Sequence, residues 1–559
     1  MSLCHVKNGG TRVSGESTVG DWSDGNCYPT VYASRVAWSG DAIVILDDGT
    51  ITETNTLATP AFASTTSVTL KKRGASSSAT RWMMNSATAA LINNATAVVQ
   101  DFTAEDLTIG RAVPMSSGAS VALLTFSGTG CENITLRRCS LGNQQIDGYV
   151  GGLVGSVLTV LGTPIKSVVS IEDSFIENVE YVAAGTGPLM RLGGNGRTYN
   201  FARTRWRNIN YVASATFNAS WAIHPENTNT YGFTDCTAED ISVTGVDSAV
   251  YVRSFFFTPS TAQTVIINNF TFSRVTVGTL SVPIEAQGWG FYLSGPYTIN
   301  GLHSEYCTYY DTGGRDGGQG YFNGPSAVGS AQNLSAKHCR SRSGAALFSS
   351  NGAGGVYSRV LAMHNESEAG VIYSGGYGDF EVRSAIACYN KPFEGAIALN
   401  GIGIYARNNA AVRNKTIKII NCTVVGNTTN GSCAGIAVEN NDATYSCTGE
   451  VINCISRNTN ANDIEKKKTA AGALTVAVQN CNVANAIVAD SNVGEVVGDP
   501  LFVGGPSPTT AEGFKLRHDS PLRGAGTCVY TTGCVPYDFG GRRARVPPDI
   551  GAWQRRAGD

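Results

Sequence analysis

Apolar and polar residues alternate with a period of two through most of this chain, and Gly and Asn interrupt the alternation every few residues. Successive side chains of a β-strand point to opposite faces, so this alternation predicts short strands separated by tight turns. Gly, Ser, Thr, Asn and Val are abundant, which favours strands and turns over helices. The chain is therefore predicted to be almost entirely β.

Five pieces of sequence between Ala336 and Thr459 share one pattern, in which small or β-branched residues precede a polar or aromatic residue and then Cys or Asn. The Cys or Asn positions are spaced by about 25 to about 32 residues, a repeat length typical of solenoids. In such a coil each strand lies about 4.8 Å from its equivalent in the previous turn. We therefore predict one stacked column, made of Cys339, Asn365, Asn390, Cys422 and Cys454.

The column also predicts how polar side chains in the interior are hydrogen-bonded. A stacked Asn can hydrogen-bond its neighbours along the axis, and Cys is small and apolar enough for the interior. The predicted architecture is a right-handed parallel β-helix with three regions: an N-terminal cap (1–94), the helix (95–490) and a C-terminal closing segment (491–559). Within the cap, the stretch from Ser39 predicts two strands joined by an Asp-Gly hairpin turn.

Charge and cysteine content narrow the function classes. Charged residues are 15% of the chain and the net charge is −2, which excludes a strong general attraction for nucleic acid. No metal-binding Cys spacing and no cofactor motif is present, so neither a metal nor a cofactor is predicted. Most of the 15 Cys are predicted to be buried thiols, with two candidate disulfides left open, Cys528–Cys534 and Cys433–Cys447.

The N-terminal sequence M-S-L-C-H-V-K-N-G-G contains no apolar signal region, and no stretch is long and apolar enough to span a bilayer. We therefore expect synthesis in a cytoplasm and no insertion into a membrane.

The last region contains a D-P-x-F turn, an S-P-x-x-x-x-G turn and a D-I-G-A-aromatic strand. It resembles the closing segment of right-handed parallel β-helix proteins, which include polysaccharide lyases, epimerases and bacteriophage tail proteins. The matching residues are Asp499, Pro500, Phe502, Ser520, Pro521, Gly526, Asp549, Ile550, Gly551, Ala552 and Trp553.

The opening residues resemble the start of β-helical phage virion proteins. This resemblance implies a virion protein that is made in the host cytoplasm and acts extracellularly, that forms a homotrimer, and that contacts other tail proteins and a host cell-surface glycan.

The densest aromatic stretch follows Gly288 and runs into a Gly-rich loop. One interpretation is a saccharide platform of Trp289, Tyr309, Tyr310 and Tyr321, with Asp311, Arg315 and Asp316 at its rim. The alternative is aromatic packing inside the coil, beside an ion pair on a solvated loop.

Two catalytic chemistries are considered. Glycoside hydrolysis needs two carboxylates flanking the scissile bond, for which the candidates are Asp311, Asp316, Glu366, Glu368 and Glu394. Elimination needs a base and a cation that neutralises a uronate, and the candidates for these two roles are Arg340, Arg342, Lys391, His303, His338 and His364. The alternatives are an exposed polar face for the carboxylates and a structural stacked pair for the two histidines.

Three functional hypotheses follow. The first is a tail spike or fibre-like virion protein that binds host surface polysaccharide, with depolymerase activity left open. The second is an exported polysaccharide lyase or epimerase, and the third is a structural virion component without enzymatic activity.

Overall fold

The computed structural model of the protein describes residues 2–58, 65–74, 80–86, 89–94, 99–113, 122–127, 131–142, 152–153, 158–161, 167–183, 189–194, 196–213, 219–225, 229–245, 251–257, 263–279, 285–286, 289–310, 318–323, 327–350, 353–376, 378–393, 402–409, 413–429, 433–458, 462–528, 537–543 and 546–554. None of the helices in these ranges has the length and apolar character needed to cross a membrane. The chain divides into two compact units, which we call unit 1 (Met1–Glu285) and unit 2 (Ala286–Asp559).

Unit 1 consists of parallel strands in two sheets, with short helical turns near its start at Asp24–Asn26, Val31–Ser34 and Arg35–Ala37. The strands of its first sheet are Ser2–Val6, Cys27–Tyr28, Gly40–Leu46, Gly49–Glu53, Thr65–Lys72, Thr80–Met84, Val99–Glu105, Thr108–Arg111, Cys131–Arg137, Ser140–Leu141, Gly152–Leu153, Val168–Glu172, Phe175–Ala183, Thr198–Ala202, Arg205–Ala213, Thr230–Gly245 and Thr264–Val277. The second sheet contains Leu57–Ala58, Ile92–Asn94, Leu124–Phe126, Leu158–Val160, Met190–Leu192, Ala219–Pro225 and Tyr251–Phe257. A short strand, Glu285–Ala286, lies at the division.

Unit 2 repeats this organisation, and its described helical turn is Ala511–Phe514. Its first sheet contains Tyr297–Glu305, Thr308–Tyr309, Val328–Lys337, Arg340–Ser343, Gly354–Met363, Glu366–Ala369, Phe380–Arg383, Ile386–Cys388, Lys415–Ile420, Thr423–Val425, Cys447–Ile452, Ile455–Arg457, Leu474–Gln479, Asn482–Val483 and Ser491–Val493. Its second sheet contains Phe291–Leu293, Gly320–Asn323, Leu347–Ser350, Ile372–Ser374, Ile404–Asn408, Cys433–Asn440, Asn462–Lys468 and Ile487–Val488.

The pairing between strands confirms the predicted parallel β-helix. In unit 2, for example, Val328–Lys337 pairs in parallel with Gly354–Met363 one coil later, and Leu334 lies opposite Val360. Alternate residues of such strands are buried and stack on their equivalents, while the residues between them face outwards. Apolar side chains stacked inside each unit therefore hold its coils together.

The coils turn at residues with left-handed backbone conformation. In unit 1, Asn178 and Asn208 have φ of 55° and 52° and lie at equivalent positions in paired strands. In unit 2, His338 and His364 have φ of 52° and 55° at equivalent positions of successive coils. At this corner His364 points outwards and the next residue, Asn365, is fully buried.

The predicted amide stack is present behind this corner. The Asn365 side-chain amide donates to Asn390 Oδ1 at 3.0 Å, and the Asn390 amide donates to Asn427 Oδ1 at 2.9 Å. The Asn427 amide donates in turn to Asn458 Oδ1 at 3.0 Å. At its start, Asn365 Oδ1 accepts the backbone N–H of Cys339 at 2.9 Å. We call this buried file the Asn ladder.

The prediction of a single column was wrong, because Cys422 and Cys454 belong to a second file. The backbone N–H of Cys422 contacts Cys454 Sγ at 3.4 Å, and that of Cys454 contacts Cys481 Sγ at 3.4 Å. The coil that follows Asn390 is longer than its neighbours, since 37 residues separate Asn390 from Asn427. The extra residues shifted the sequence alignment from one file to the other.

The described cysteines behave largely as predicted. Twelve of them are free and buried. The proposed Cys433–Cys447 disulfide was wrong, since Cys447 is a free thiol. Cys528 is disulfide-bonded, and Cys534 lies outside the described residues.

Parallel pairing begins within the segment predicted to be an N-terminal cap. Ser2–Val6 pairs with Gly40–Leu46, which pairs in turn with Thr65–Lys72. The two strands predicted after Ser39 are present, but they do not form a hairpin, because Gly49–Glu53 pairs instead with Thr80–Met84 of the next coil.

The C-terminal segment packs along the outward face of unit 2. Phe502, Phe514, Leu522, Ile550 and Trp553 are buried against outward-facing apolar residues of successive coils: Leu361, Met363, Ile386, Cys388, Val425 and Ile455. The recurrent motif residues make the turns of this segment. Their carboxylates and hydroxyls accept backbone N–H groups: Asp499 from Leu501 at 2.9 Å, Ser520 from Leu522 at 3.2 Å and Asp549 from Gly524 at 2.7 Å.

Candidate functional site

A row of polar residues crosses successive coils of unit 2 just after the corner at His338 and His364. Thr308 lies opposite Arg340, Arg340 opposite Glu366, and Glu366 opposite Lys391. Backbone hydrogen bonds fix this register: the Glu366 N–H donates to the Cys339 carbonyl at 2.8 Å, and the Lys391 N–H to the Asn365 carbonyl at 3.0 Å. The backbone thus places two cationic side chains and one carboxylate side by side.

Four aromatic rings occupy the corner itself. The ring centroids of Tyr306 and His338 are 5.0 Å apart, those of His338 and His364 are 5.2 Å apart, and those of His364 and Tyr389 are 5.3 Å apart. The planes are nearly parallel, with angles of 9°, 5° and 20°. We call this set the ring file. The rings stack face to face, and Tyr306 and His364 are exposed, whereas the Tyr389 hydroxyl is buried.

The backbone of the ring file is unusual for its residue types. Tyr306 and Tyr389 have φ of 54° and 55°. A left-handed residue other than Gly costs about 1–2 kcal/mol, and Asn, Asp and His occur there far more often than a bulky residue such as Tyr. Strained backbone of this kind concentrates at functional sites, which makes the ring file a candidate for function.

Glu366 bridges the two cations of the polar row. Its Oε1 lies 3.2 Å from Lys391 Nζ, and its Oε2 lies 3.9 Å from Arg340 Nη1. The Arg340 side chain is 26% exposed, that of Glu366 33% and that of Lys391 62%. A ligand in solvent therefore has access to all three.

Arg340 is held by aromatic rings as well as by this carboxylate. Its guanidinium lies 5.0 Å from the ring centroid of Tyr310 and 4.7 Å from that of Phe393. Attraction between a cation and the faces of two rings fixes the guanidinium. Its position is thus set largely by residues other than Glu366.

Three members of the ring file, His338, His364 and Tyr389, enclose with the polar row an open groove of about 630 Å³. This volume falls in the range usual for ligand sites. The lining residues are Thr308, Tyr310, His338, Cys339, Arg340, His364, Glu366, Tyr389 and Lys391.

Burial shifts the protonation of several lining groups. Burial lowers the pKa of His364, and the neighbouring His338 lowers it further. Burial raises the pKa of the Tyr389 phenol to about 12. Burial, together with the neighbouring Cys307, holds the pKa of Cys339 well above its ordinary value, so this thiol stays protonated and is a poor nucleophile.

Five of the residues predicted from the sequence meet in this groove: Tyr310, His338, Arg340, His364 and Glu366. Glu368 is not among the lining residues. It is 9% exposed and forms a close ion pair with Arg342 at 2.7 Å. Asp311, Arg315, Asp316 and Glu394 lie outside the described residues.

The prediction of a surface platform from Trp289, Tyr309 and Tyr321 was wrong. These side chains are 0%, 2% and 6% exposed, and the Trp289 indole donates to Ser304 Oγ at 3.1 Å inside unit 2. Tyr321 stacks between Tyr292 and Phe348. Period-two alternation does not reveal which face of a strand becomes covered. Here these rings pack against other aromatic and apolar side chains inside unit 2, as in the alternative interpretation.

The predicted site residues did not include Tyr306 or Tyr389, whereas Lys391 was among the candidates for elimination. A pattern that identifies the first two was present: each ring of the file directly precedes Cys or Asn, in Y-C, H-C, H-N and Y-N. Lys391 follows from the same alignment, because it is the residue after Asn390, as Glu366 is the residue after Asn365. Among the residues that the structure describes, no group of three or more His, Cys, Asp or Glu is placed to hold a metal ion.

No protein-family model and no curated protein matches the chain. Among solved structures, the pectate lyase Pel9A matches at 12% sequence identity with a TM-score of 0.24, covering 100% of this chain and 97% of that chain. A score this low carries no argument, so the fold assignment rests on the parallel strand register.

Proposed function

We propose that this protein is a tail spike or fibre-like virion protein of a bacteriophage and that unit 2 binds host surface polysaccharide in the groove beside the ring file. The supporting observation is that three stacked rings, His338, His364 and Tyr389, line an open groove together with charged groups. Asn or Gly would satisfy the left-handed backbone at Tyr389 at lower cost. Stacked rings at these corners are best explained by a ligand that contacts them.

The chemistry of the groove suits a saccharide. Imidazole nitrogens, phenol hydroxyls, a guanidinium, an ammonium and a carboxylate all hydrogen-bond hydroxyl groups. Equivalent positions recur about every 4.8 Å along the coils, so a polymer can meet similar groups on successive turns. This repetition favours an extended ligand over a compact one.

Elimination is the second candidate activity, and it belongs equally to the alternative of an exported lyase or epimerase. Arg340 and Lys391 supply positive charge for a uronate, and His338 and His364 are available as bases. Hydrolysis needs two carboxylates, and Glu366 is the one carboxylate among the described residues that line the groove. The described residues thus supply the groups that elimination needs.

The binding proposal is tested by screening the whole chain against purified capsular polysaccharides and lipopolysaccharides by biolayer interferometry. We expect saturable binding to at least one polysaccharide. If none binds, the structural virion component without a glycan site becomes the better hypothesis.

Cleavage is tested on the same panel. Ultraviolet absorbance of unsaturated uronate reports elimination, and new reducing ends without that absorbance report hydrolysis. Light scattering tests the assembly: a homotrimer supports the virion protein, and a monomer supports the exported lyase.

A further inference from the structure

We propose that the saccharide bound in this groove carries a carboxylate and that Glu366 occupies, in the unbound protein, the place of that carboxylate. This inference rests on the proposed function and specifies its ligand class. Glu366 then acts as a built-in competitor, whose removal strengthens binding.

The charge of the polar row favours an anionic ligand. Arg340 and Lys391 face one carboxylate, whose two oxygens each contact a different cation, at 3.9 Å and 3.2 Å. Among the described residues that line the groove, two cations around this carboxylate leave one positive charge in excess, which attracts an anion.

Arg340 keeps its position without Glu366, because its guanidinium lies against the rings of Tyr310 and Phe393. The backbone of Lys391 is fixed by its hydrogen bond to Asn365 and by the bond that its carbonyl accepts from Ser367 N–H at 2.9 Å. A ligand carboxylate that displaces Glu366 therefore meets a guanidinium already in place, beside an exposed lysine side chain on a fixed backbone.

A second Arg–Glu pair lies on the same two strands. Arg342 and Glu368 lie two residues further along and contact each other at 2.7 Å, with side chains 26% and 12% exposed. That pair is closed, whereas Arg340 and Glu366 are separated by 3.9 Å and line the groove. The same two strands thus carry one pair in close contact, Arg342–Glu368, and one wider pair, Arg340–Glu366, that leaves room for another anion.

The experiment uses native polysaccharides from the binding screen and the same preparations after chemical reduction of their carboxyl groups. We expect the wild-type chain to bind the native form at least tenfold more tightly, with an affinity that falls as salt is added. Glu366→Gln is expected to bind the native form about threefold to tenfold more tightly than wild type does. We expect it to bind the reduced form as tightly as wild type does. The gain is expected because the variant frees Arg340 and Lys391 from Glu366, with which they form partly exposed ion pairs.

Glu368→Gln is the matched control, because it removes the same charge from the neighbouring closed pair; it is expected to give no gain. Arg340→Gln is expected to lose tenfold or more on the native form. Circular dichroism and thermal unfolding verify that each variant is folded.

The outcomes separate the two proposals. Weaker binding by folded Glu366→Gln, or equal wild-type binding of native and reduced forms without salt dependence, overturns this inference and leaves glycan binding intact. If no polysaccharide binds in either form, the proposed function itself fails. Should Glu366→Gln not fold, the native-to-reduced ratio and salt dependence of the wild-type chain decide.

Discussion

Files of left-handed corner residues occur in both units, and they differ in what they carry. The file in unit 1 uses polar residues that pair with one another: the Asn208 amide donates to Asn178 Oδ1 at 3.2 Å, and Arg274 donates to Asp240 Oδ2 at 2.9 Å. The file in unit 2 consists of stacked rings: Tyr306, His338, His364 and Tyr389.

The difference shows which residue types fit the left-handed backbone of the corner and which occur there despite its cost. Asn and Asp tolerate the left-handed region because their short side chains hydrogen-bond locally, so Asn178, Asn208 and Asp240 fit the backbone at low cost. Bulky residues, Arg274 in unit 1 and Tyr306 and Tyr389 in unit 2, fit it poorly. The next residues differ as well: Val179 and Ile209 are buried in unit 1, whereas Asn365 and Asn390 are buried in unit 2. Two rings of unit 2 thus directly precede buried amides of the Asn ladder.

The largest effect is expected from removing the support behind the ring file. Asn390→Ala leaves the Asn365 backbone N–H without its acceptor and removes one of the two acceptors of the Asn365 amide, while Asn427 Oδ1 keeps the backbone N–H of residue 390. Unpaired buried groups cost about 1–3 kcal/mol each before relaxation, so we expect about 2–4 kcal/mol of destabilisation in urea unfolding. Asn492→Ala, at an exposed position, should cost less than about 0.5 kcal/mol. Equal losses would show that the Asn ladder does not hold the corner.

Removing the two imidazoles comes next. His338→Ala with His364→Ala deletes the middle of the ring file, and we expect at least tenfold weaker binding, about 1.4 kcal/mol, to any polysaccharide found in the screen. The matched double variant in unit 1, Asn178→Ala with Asn208→Ala, should bind as wild type does. Interferometry on both proteins decides, and loss of binding in the unit 1 variant would contradict the assignment of the site to unit 2.

Exchanging residue types between the files should give smaller changes in stability, with opposite signs in the two units. Tyr306 is 55% exposed, so Tyr306→Asn loses little packing and relieves a left-handed Tyr. We expect a gain of about 0.5–1 kcal/mol in stability together with weaker polysaccharide binding. Asn208→Tyr should lower stability by a similar amount. A stability loss in Tyr306→Asn would mean that ring stacking outweighs the backbone cost.

The smallest effect is the dependence on pH, and its sign follows from the pKa shifts. The folded pKa of His364 is lowered from 6.5, so the unfolded chain binds more protons and the stability of unit 2 decreases as pH falls below about 6.5. The Asp240 pKa is lowered from 3.8 by its hydrogen bond with Arg274, so the unit 1 file loses stability only below about pH 4.

Hydrogen exchange followed by mass spectrometry, corrected for intrinsic rates, should therefore show peptides around His364 losing protection at about pH 5.5 before those around Asp240. His364→Asn should remove this difference. Simultaneous loss of protection in both files would show that His364 makes no separate contribution.

Several features of the site could be predicted from sequence, and others could not. The stacking of His338 on His364 followed from their equal offsets before Cys339 and Asn365, and the structure places them in one file. Burial of Trp289 was one of two interpretations that the sequence left open, because alternation gives the two faces of a strand but not which face is covered. The closed pair at Glu368 and the open one at Glu366 have the same sequence spacing, and only their distances distinguish them.

The sequence by itself determined the parallel coil, because period-two alternation with a recurring Cys or Asn position can bury its apolar residues only by stacking strand on strand. Tertiary structure decided which residues share a file after Asn390, where Asn427 and not Cys422 continues the column. Loops between strands absorb additional residues at little energetic cost, so the interval after Asn390 could lengthen to 37 residues without a trace in the alternation. Register is set by hydrogen bonds between coils, and these bonds brought Lys391 and Arg340 to either side of Glu366.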